Sequence, residues 1–379
     1  MLRRWLPCEG YVLLVWLLCG ISRSAALWSA GNLESNSPSL SLWDKSITLR
    51  TGIGYRDNVL WSSGAPEGSV FVVSGVEVIV LRTDSNGFDF HVFLSGDDLH
   101  YLSSVGVDKE QTLAVNSQIS KAWASGLQIS LDLQYLYLNQ MFDVSDTEAD
   151  RSAVLAEGHA LTLRPALRKT YENNLWAGIE FEITRQYFRE PLDDYWELGP
   201  KLSVGRTYGH QSEAALNYRY AYSPYDTRWQ TTREGVPLPG QPLAYHKQEV
   251  SLSWKHHWDP QRQWRTTSKL AYTMQQDNGA GYYNYDKYHL SQQIRYAGRL
   301  GEAVLQARLG YYDYALQTRA AGDAWRRNKT AVIISFHGEK KLARWLKWYI
   351  DFEYEQSLAN VSWDNYAVNT ASSGFSVEF

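Results

Sequence analysis

Six cations, Lys201, Arg219, Lys255, Lys269, Arg295 and Arg308, recur through the second half of the chain. Each stands on the polar side of a stretch that alternates apolar and polar residues. Single like charges at such intervals do not make a nucleophile–base–orienter constellation. They suit an electrostatic task, a positive wall along an aqueous passage. Asp132, Glu180, Glu182, Asp351 and Glu353, with Glu355, fall on the same polar side in the first half and near the end, as do Arg50, Arg164 and Arg168. Two readings stay open. The charges set up a transverse field that orients polar or anionic solutes, or they are the ordinary charges of a wet interior that pair with one another. A further acidic run, Asp143-Val-Ser-Asp146-Thr-Glu148-Ala-Asp150, offers carboxylates for a constriction facing the cations. The same run also reads as a solvated loop holding divalent cations, and it lacks the Gly and final Glu of a calcium-binding EF-hand.

Catalytic candidates are weaker. Asp97, Asp98 and His100 form an acid–His group with no second such group to complete a hydrolytic site. His256 and His257 are adjacent, so in an extended segment they point to opposite faces and cannot share a metal. His159, His210 and His289 are scattered, and no Ser–His–acid arrangement emerges. The expectation is a non-enzyme with no cofactor and no metal. The only cysteines are Cys8 and Cys19. With residues 1–26 removed, disulfides, thiolate metal sites and cysteine nucleophiles fall away together. The formal charge of −4 gives no reason to expect nucleic-acid binding.

The elements that must position these residues follow from period-2 alternation. In Leu127 to Tyr137 the odd positions are apolar and most even ones polar. Trp348, Ile350, Phe352 and Tyr354 oppose Lys347, Asp351 and Glu353 in the same way. No amphipathic helix longer than two turns is apparent. Sixteen strands are predicted, with fourteen or eighteen as the alternatives, near 46–57, 69–82, 87–96, 110–122, 126–142, 158–170, 174–188, 195–207, 211–223, 244–257, 263–276, 286–297, 302–316, 329–338, 345–357 and 366–379. Connections alternate between mostly long ones, among them 58–68, 143–157 and a Pro-rich 224–243, and tight ones such as Glu172-Asn173. Tyr (26) and Trp (16) are abundant although mean hydropathy is −0.41. Aromatic belts around a wet interior produce that combination. The fold class expected is all-β, a transmembrane antiparallel up-and-down β-barrel.

The two ends carry further signals. Arg3 and Arg4 precede an apolar run from Tyr11 to Ile21, and Ser24-Ala25-Ala26 follows. This reads as a secretory signal peptide over 1–26, with 27–45 a short periplasmic lead and 46–379 the barrel. The closing residues alternate, with Phe375, Val377 and Phe379 on one face and Gly374 on the other.

With that closing pattern, the secretory start and the loop rhythm, residues 46–379 resemble porin-like outer-membrane β-barrels of bacteria. In that resemblance Gly374, Phe375, Val377 and Phe379 form the signal read by the barrel assembly machinery. Asp143, Asp146, Glu148 and Asp150 correspond in position and charge to the inward-folded third loop of general porins. The resemblance implies residence in outer-membrane lipid and lipopolysaccharide, both termini periplasmic, homo-oligomers in many relatives, and passive diffusion of small polar or anionic solutes. The alternatives are the outer-membrane barrel of an exopolysaccharide secretion or envelope assembly system, with lumen aromatics such as Tyr312 and Trp176 stacking on sugars, and a closed structural or adhesin barrel.

Overall fold

The computed structural model describes residues 43–83, 86–104, 106–143, 153–190, 192–318 and 325–379. The segment expected to be a signal peptide, 1–26, and nearly all of the expected lead, 27–45, lie outside them. The chain forms β1 (Trp43–Arg56), β2 (Ser69–Thr83), β3 (Phe88–Tyr101), β4 (Lys109–Ala122), β5 (Leu127–Asp143), β6 (Ala153–Thr170), β7 (Leu175–Phe188) and β8 (Tyr195–Tyr208). It continues through β9 (Ser212–Thr231), β10 (Pro237–His257), β11 (Trp264–Asp277), β12 (Tyr285–Gly298), β13 (Gly301–Thr318), β14 (Arg326–Lys341), β15 (Leu346–Ala359) and β16 (Tyr366–Glu378). Each strand pairs antiparallel with its neighbours in sequence, and β1 pairs with β16 to close the ring. Sixteen tilted strands enclose a cylinder about 30 Å across.

The alternation decides which face is which. Ile129, Leu131 and Leu133 on β5, Val250 and Leu252 on β10, and Leu305 and Leu309 on β13 are all exposed on the outer wall. An apolar belt that encircles the molecule is untenable in water and is the surface a barrel presents to lipid. Aromatics border it on both sides. Trp43, Trp123, Tyr171, Trp258, Trp264 and Trp345 are exposed at the short-turn end. Tyr55, Tyr187, Trp196, Tyr272 and Tyr288 are exposed toward the other end. Trp43 and Tyr55 are twelve residues apart on β1, about 30 Å along the axis at the usual strand tilt, which matches a hydrocarbon core with its interfaces.

Several strand limits depart from the sequence reading. β1 starts at Trp43, so the last residues of the expected lead belong to the wall. β6 starts at Ala153, and β9 and β10 run past the membrane into a hairpin that takes up most of 224–243. That hairpin slips register around Pro237 and Pro242, since a proline cannot donate to the ladder. Alternation in this hairpin is masked by such prolines, so the segment reads as a loop.

The seam between β1 and β16 explains Gly374. It lies opposite Gly52 in the register, on the inner face, while Phe375 and Val377 face outward. A Cβ on Gly374 would come within 2.0 Å of the Thr51 carbonyl, and one on Gly52 within 2.2 Å of the Tyr349 hydroxyl. The bare backbone lets the buried Tyr349 ring lie over the closure, with the Arg50 guanidinium 5.4 Å from its centroid. Gly374→Val therefore overpacks the seam and costs about 1–3 kcal/mol. It lowers the denaturant midpoint of the folded barrel in detergent, while Ala371→Val on the outer face leaves it unchanged; equal midpoints for the two variants would contradict this account of the seam.

Candidate functional site

Because side chains alternate, the register fixes the inner face of every strand. Lys201, Arg219, Lys255, Lys269, Arg295 and Arg308 all fall on it, one per strand from β8 to β13. Asp132, Glu180, Glu182, Asp351, Glu353 and Glu355 share the inner face, together with Arg50, Arg164 and Arg168. Their mutual arrangement differs from a bare basic wall. Lys201 lies 3.4 Å from Glu180, Lys269 2.8 Å from Glu249 and Arg295 2.8 Å from Glu302. Arg219 bridges Glu182 at 2.8 Å and Glu197 at 2.5 Å, and Arg164 meets the other Glu182 oxygen at 3.0 Å. Glu197, Glu213, Glu249 and Glu302 are inward carboxylates of the second half that the sequence reading passed over. The parity rule that located the cations would have located them too.

The pairs run on around the wall. Arg50 joins Asp97 at 2.5 Å and Asp351 at 3.8 Å, and His337 joins Asp351 at 2.6 Å, so one chain of charge spans β3, β1, β15 and β14. These side chains keep about a third of their surface open, which means solvent reaches the interior at this level. Lys255 and Arg308 are different. Neither has a carboxylate within ion-pair distance among the described residues, and Arg308 donates only to Gln306 at 2.9 Å.

The remaining histidines and acids do not assemble into a catalytic group. Asp97 faces inward and binds Arg50, whereas Asp98 and His100 both sit on the outer face, with Asp98 accepting from Gln111 at 2.7 Å. His256 packs outside among Trp254, Trp258 and Tyr208 while His257 is buried inside. Among the described residues no group of acids, histidines or cysteines could hold a metal ion.

Above the middle of the barrel, the β5–β6 hairpin leaves the wall. Asp143, the last residue of β5, accepts from Lys329 Nζ of β14 at 2.6 Å and from the Tyr366 hydroxyl of β16 at 2.8 Å. In the ring, six strands separate β5 from β14 one way and eight the other. Two extended side chains together reach about 10 Å, a third of the width of a barrel this size. The hairpin must therefore project across the interior. Its packing agrees. Met141 lies among Val59, Phe71, Val73, Tyr101 and Val107 on one side. Phe142 lies among Leu136, Leu138, Tyr195, Tyr225, Leu243, Tyr245 and Tyr283 on the other. Alternation persists to the end of β5, but both faces now meet protein. Leu136 and Leu138 consequently sit on the inner, nominally polar face. Asp146, Glu148 and Asp150 of the same segment lie outside the described residues.

The anchor is itself braced. Lys329 also approaches Asp364 at 3.9 Å, and Asp364 accepts from Arg327 at 2.6 Å. Tyr366 shares its hydroxyl with Glu355 at 3.0 Å and stacks on Trp61 of the β1–β2 loop. Tyr312, inward and buried, lies beneath the Lys329 and Lys287 ammonium groups. Trp176 is inward at the short-turn end, with Arg168 3.9 Å over its ring.

No family model matches the chain, and no curated protein matches it. Solved structures similar to it include OccAB1 of Acinetobacter baumannii, with TM-score 0.46 and 11% identity over 89% of this chain and 97% of that one. The anion-selective porin from Comamonas acidovorans aligns with TM-score 0.45 and 11% identity over 89% and 99%. A BenF-like porin from Pseudomonas fluorescens Pf-5 aligns with TM-score 0.47 and 8% identity over 90% and 100%.

The anchoring of the hairpin is open to a charge exchange. Lys329 is almost fully buried, and breaking a buried pair by removing one partner costs roughly 3 kcal/mol. Asp143→Ala and Lys329→Asp should each lower the unfolding midpoint in detergent, and the Asp143→Lys/Lys329→Asp exchange should recover part of the loss. Single variants indistinguishable from the parent would show that this pair does not hold the hairpin.

Proposed function

We propose that the chain is an outer-membrane pore through which small polar solutes, anionic ones among them, diffuse passively. The observation that carries this reading is a closed sixteen-strand ring that is apolar outside and ionised inside, with solvent-reached charges at its middle. A water-filled lumen needs such a lining, and lipid needs such an exterior. Chemistry is supplied by position alone: the hairpin limits size and the fixed ion pairs orient dipoles. In this reading the short-turn end, where β1 begins and β16 finishes, is periplasmic. Residues 1–26 are the removed signal peptide, and Gly374, Phe375, Val377 and Phe379 are read by the assembly machinery.

Ion selectivity is weak on this account, because Lys201, Arg219, Lys269 and Arg295 are largely neutralised by carboxylates. The anion preference comes from Lys255 and Arg308. One observation favours a barrel that is closed at rest, as a structural or secretion component would be. The upper interior is filled by the hairpin and by Leu243, Tyr245 and Tyr283, all almost fully buried.

Liposome swelling separates the two readings. Refolded protein that shows heat-modifiable migration should admit small sugars and carboxylates and exclude long oligosaccharides. A salt gradient should give a modest anion-selective reversal potential that Lys255→Gln with Arg308→Gln abolishes. Folded barrels that admit neither solute would overturn the pore and leave the closed barrel.

A further inference from the structure

Near the short-turn end of the interior, three neighbouring strands bring four nitrogen-rich side chains to one spot. His257 of β10 stands directly opposite Arg265 of β11, and Arg265 directly opposite Arg295 of β12. Lys255 is on the same face, two residues from His257, and is opposite Thr267. Like charges directly opposite on adjacent strands repel. Arg295 is given a carboxylate, Glu302, but Lys255 and Arg265 have none within ion-pair distance among the described residues.

The carboxylates that face the group are already engaged. Glu302 holds Arg295 through Nε at 2.8 Å. Glu213, across from Lys255 in the register, is bound by Arg168 at 3.2 Å. Arg265 is only 7% exposed, yet it makes no ion pair among the described residues. Its one side-chain hydrogen bond reaches Gln293 at 3.4 Å, and its Nε is buried with no partner. His257, 8% exposed, likewise has a buried Nδ1 with no partner. An unpaired buried guanidinium is costly. Two buried nitrogens without a hydrogen-bond partner, beside a lysine, describe a place for a ligand that supplies acceptors and negative charge.

We infer that Lys255, His257, Arg265 and Arg295 form a binding site for a tetrahedral oxyanion of the phosphate type. The planar fork of Arg265 matches two oxygens of such an anion, Lys255 adds a compact charge, and His257 donates once protonated. Arg295, oriented by Glu302, closes the third side. The site deepens the pore reading by naming the anion class and the end of the passage where it pauses, and it rests on that reading for its role in passage but not for binding itself.

Isothermal titration of inorganic phosphate into the full refolded barrel in detergent tests it. The parent should bind. Arg265→Gln should weaken binding at least tenfold, and Arg189→Gln, on an exposed external segment, should leave it unchanged. Thr267→Glu offers a second test without removing a cation, because a built-in carboxylate beside Lys255 and Arg265 should displace phosphate. Titration with glucose 6-phosphate distinguishes the source, since tighter binding than inorganic phosphate assigns the site to the head of a larger solute and weaker binding to the free ion. In bilayers, phosphate added at the short-turn side should reduce chloride current in the parent and not in Arg265→Gln. Absence of phosphate binding by the parent, or equal binding by parent and Arg265→Gln, would overturn the site. A barrel that carries no chloride current but binds phosphate in an Arg265-dependent way would overturn the pore alone.

Discussion

Every feature of this molecule depends on backbone hydrogen bonding that has to be complete inside lipid. A sheet in hydrocarbon cannot leave an edge, so β1 must find β16, and the ring must close. Closure then fixes the rest. Once strands are locked in register, alternate side chains have no choice of face, and the same bonds that satisfy the backbone sort Leu, Val and Trp to the outside and Arg, Lys, Asp and Glu to the inside. The glycine pair at the seam, Gly52 and Gly374, belongs to this constraint, because it lets the closing strands approach under the Tyr349 ring.

The interior solves a second problem. A ring of inward charges too dense to be solvated separately must be balanced locally. The pairs Arg164–Glu182–Arg219–Glu197 and Asp97–Arg50–Asp351–His337 do this across neighbouring strands. Local balance turns the inner wall into a mosaic of fixed dipoles rather than one positive face. At Lys255, Arg265 and Arg308 that local balance by a carboxylate within ion-pair distance is missing among the described residues. The β5–β6 hairpin adds the third dimension, because a single carboxylate, Asp143, ties it across the lumen to Lys329 and Tyr366.

Much of this was legible before any coordinates. The strand number, the alternation of short and long connections, and the inward parity of Lys201 through Arg308 follow from a period of two, which survives in every membrane-crossing segment. The glycine of the closing strand was legible as a motif, although its reason was not, since that depends on the approach of the Thr51 and Gly52 backbone of β1. Three things were hidden. Ion pairing was hidden because register between strands, not position along one, decides that Glu302 meets Arg295. The bend of the hairpin was hidden because Met141 and Phe142 continue the alternation as though still in the wall. The seat for that hairpin was hidden because Leu136 and Leu138 interrupt the polar face of β5 for a reason visible only in the packing.

The central claim is that the polar face of the alternation lines water. It is tested most directly by thiol accessibility in a chain whose Cys8 and Cys19 are replaced by Ser, carrying a single new cysteine on β8. Ser203 lies on the inner face and its neighbour Val204 is exposed on the outer wall. In a bilayer, a water-soluble charged thiol reagent should modify Ser203→Cys rapidly and change the current through the barrel, while Val204→Cys stays unreactive. An unreactive Ser203→Cys beside a reactive Val204→Cys would contradict the account.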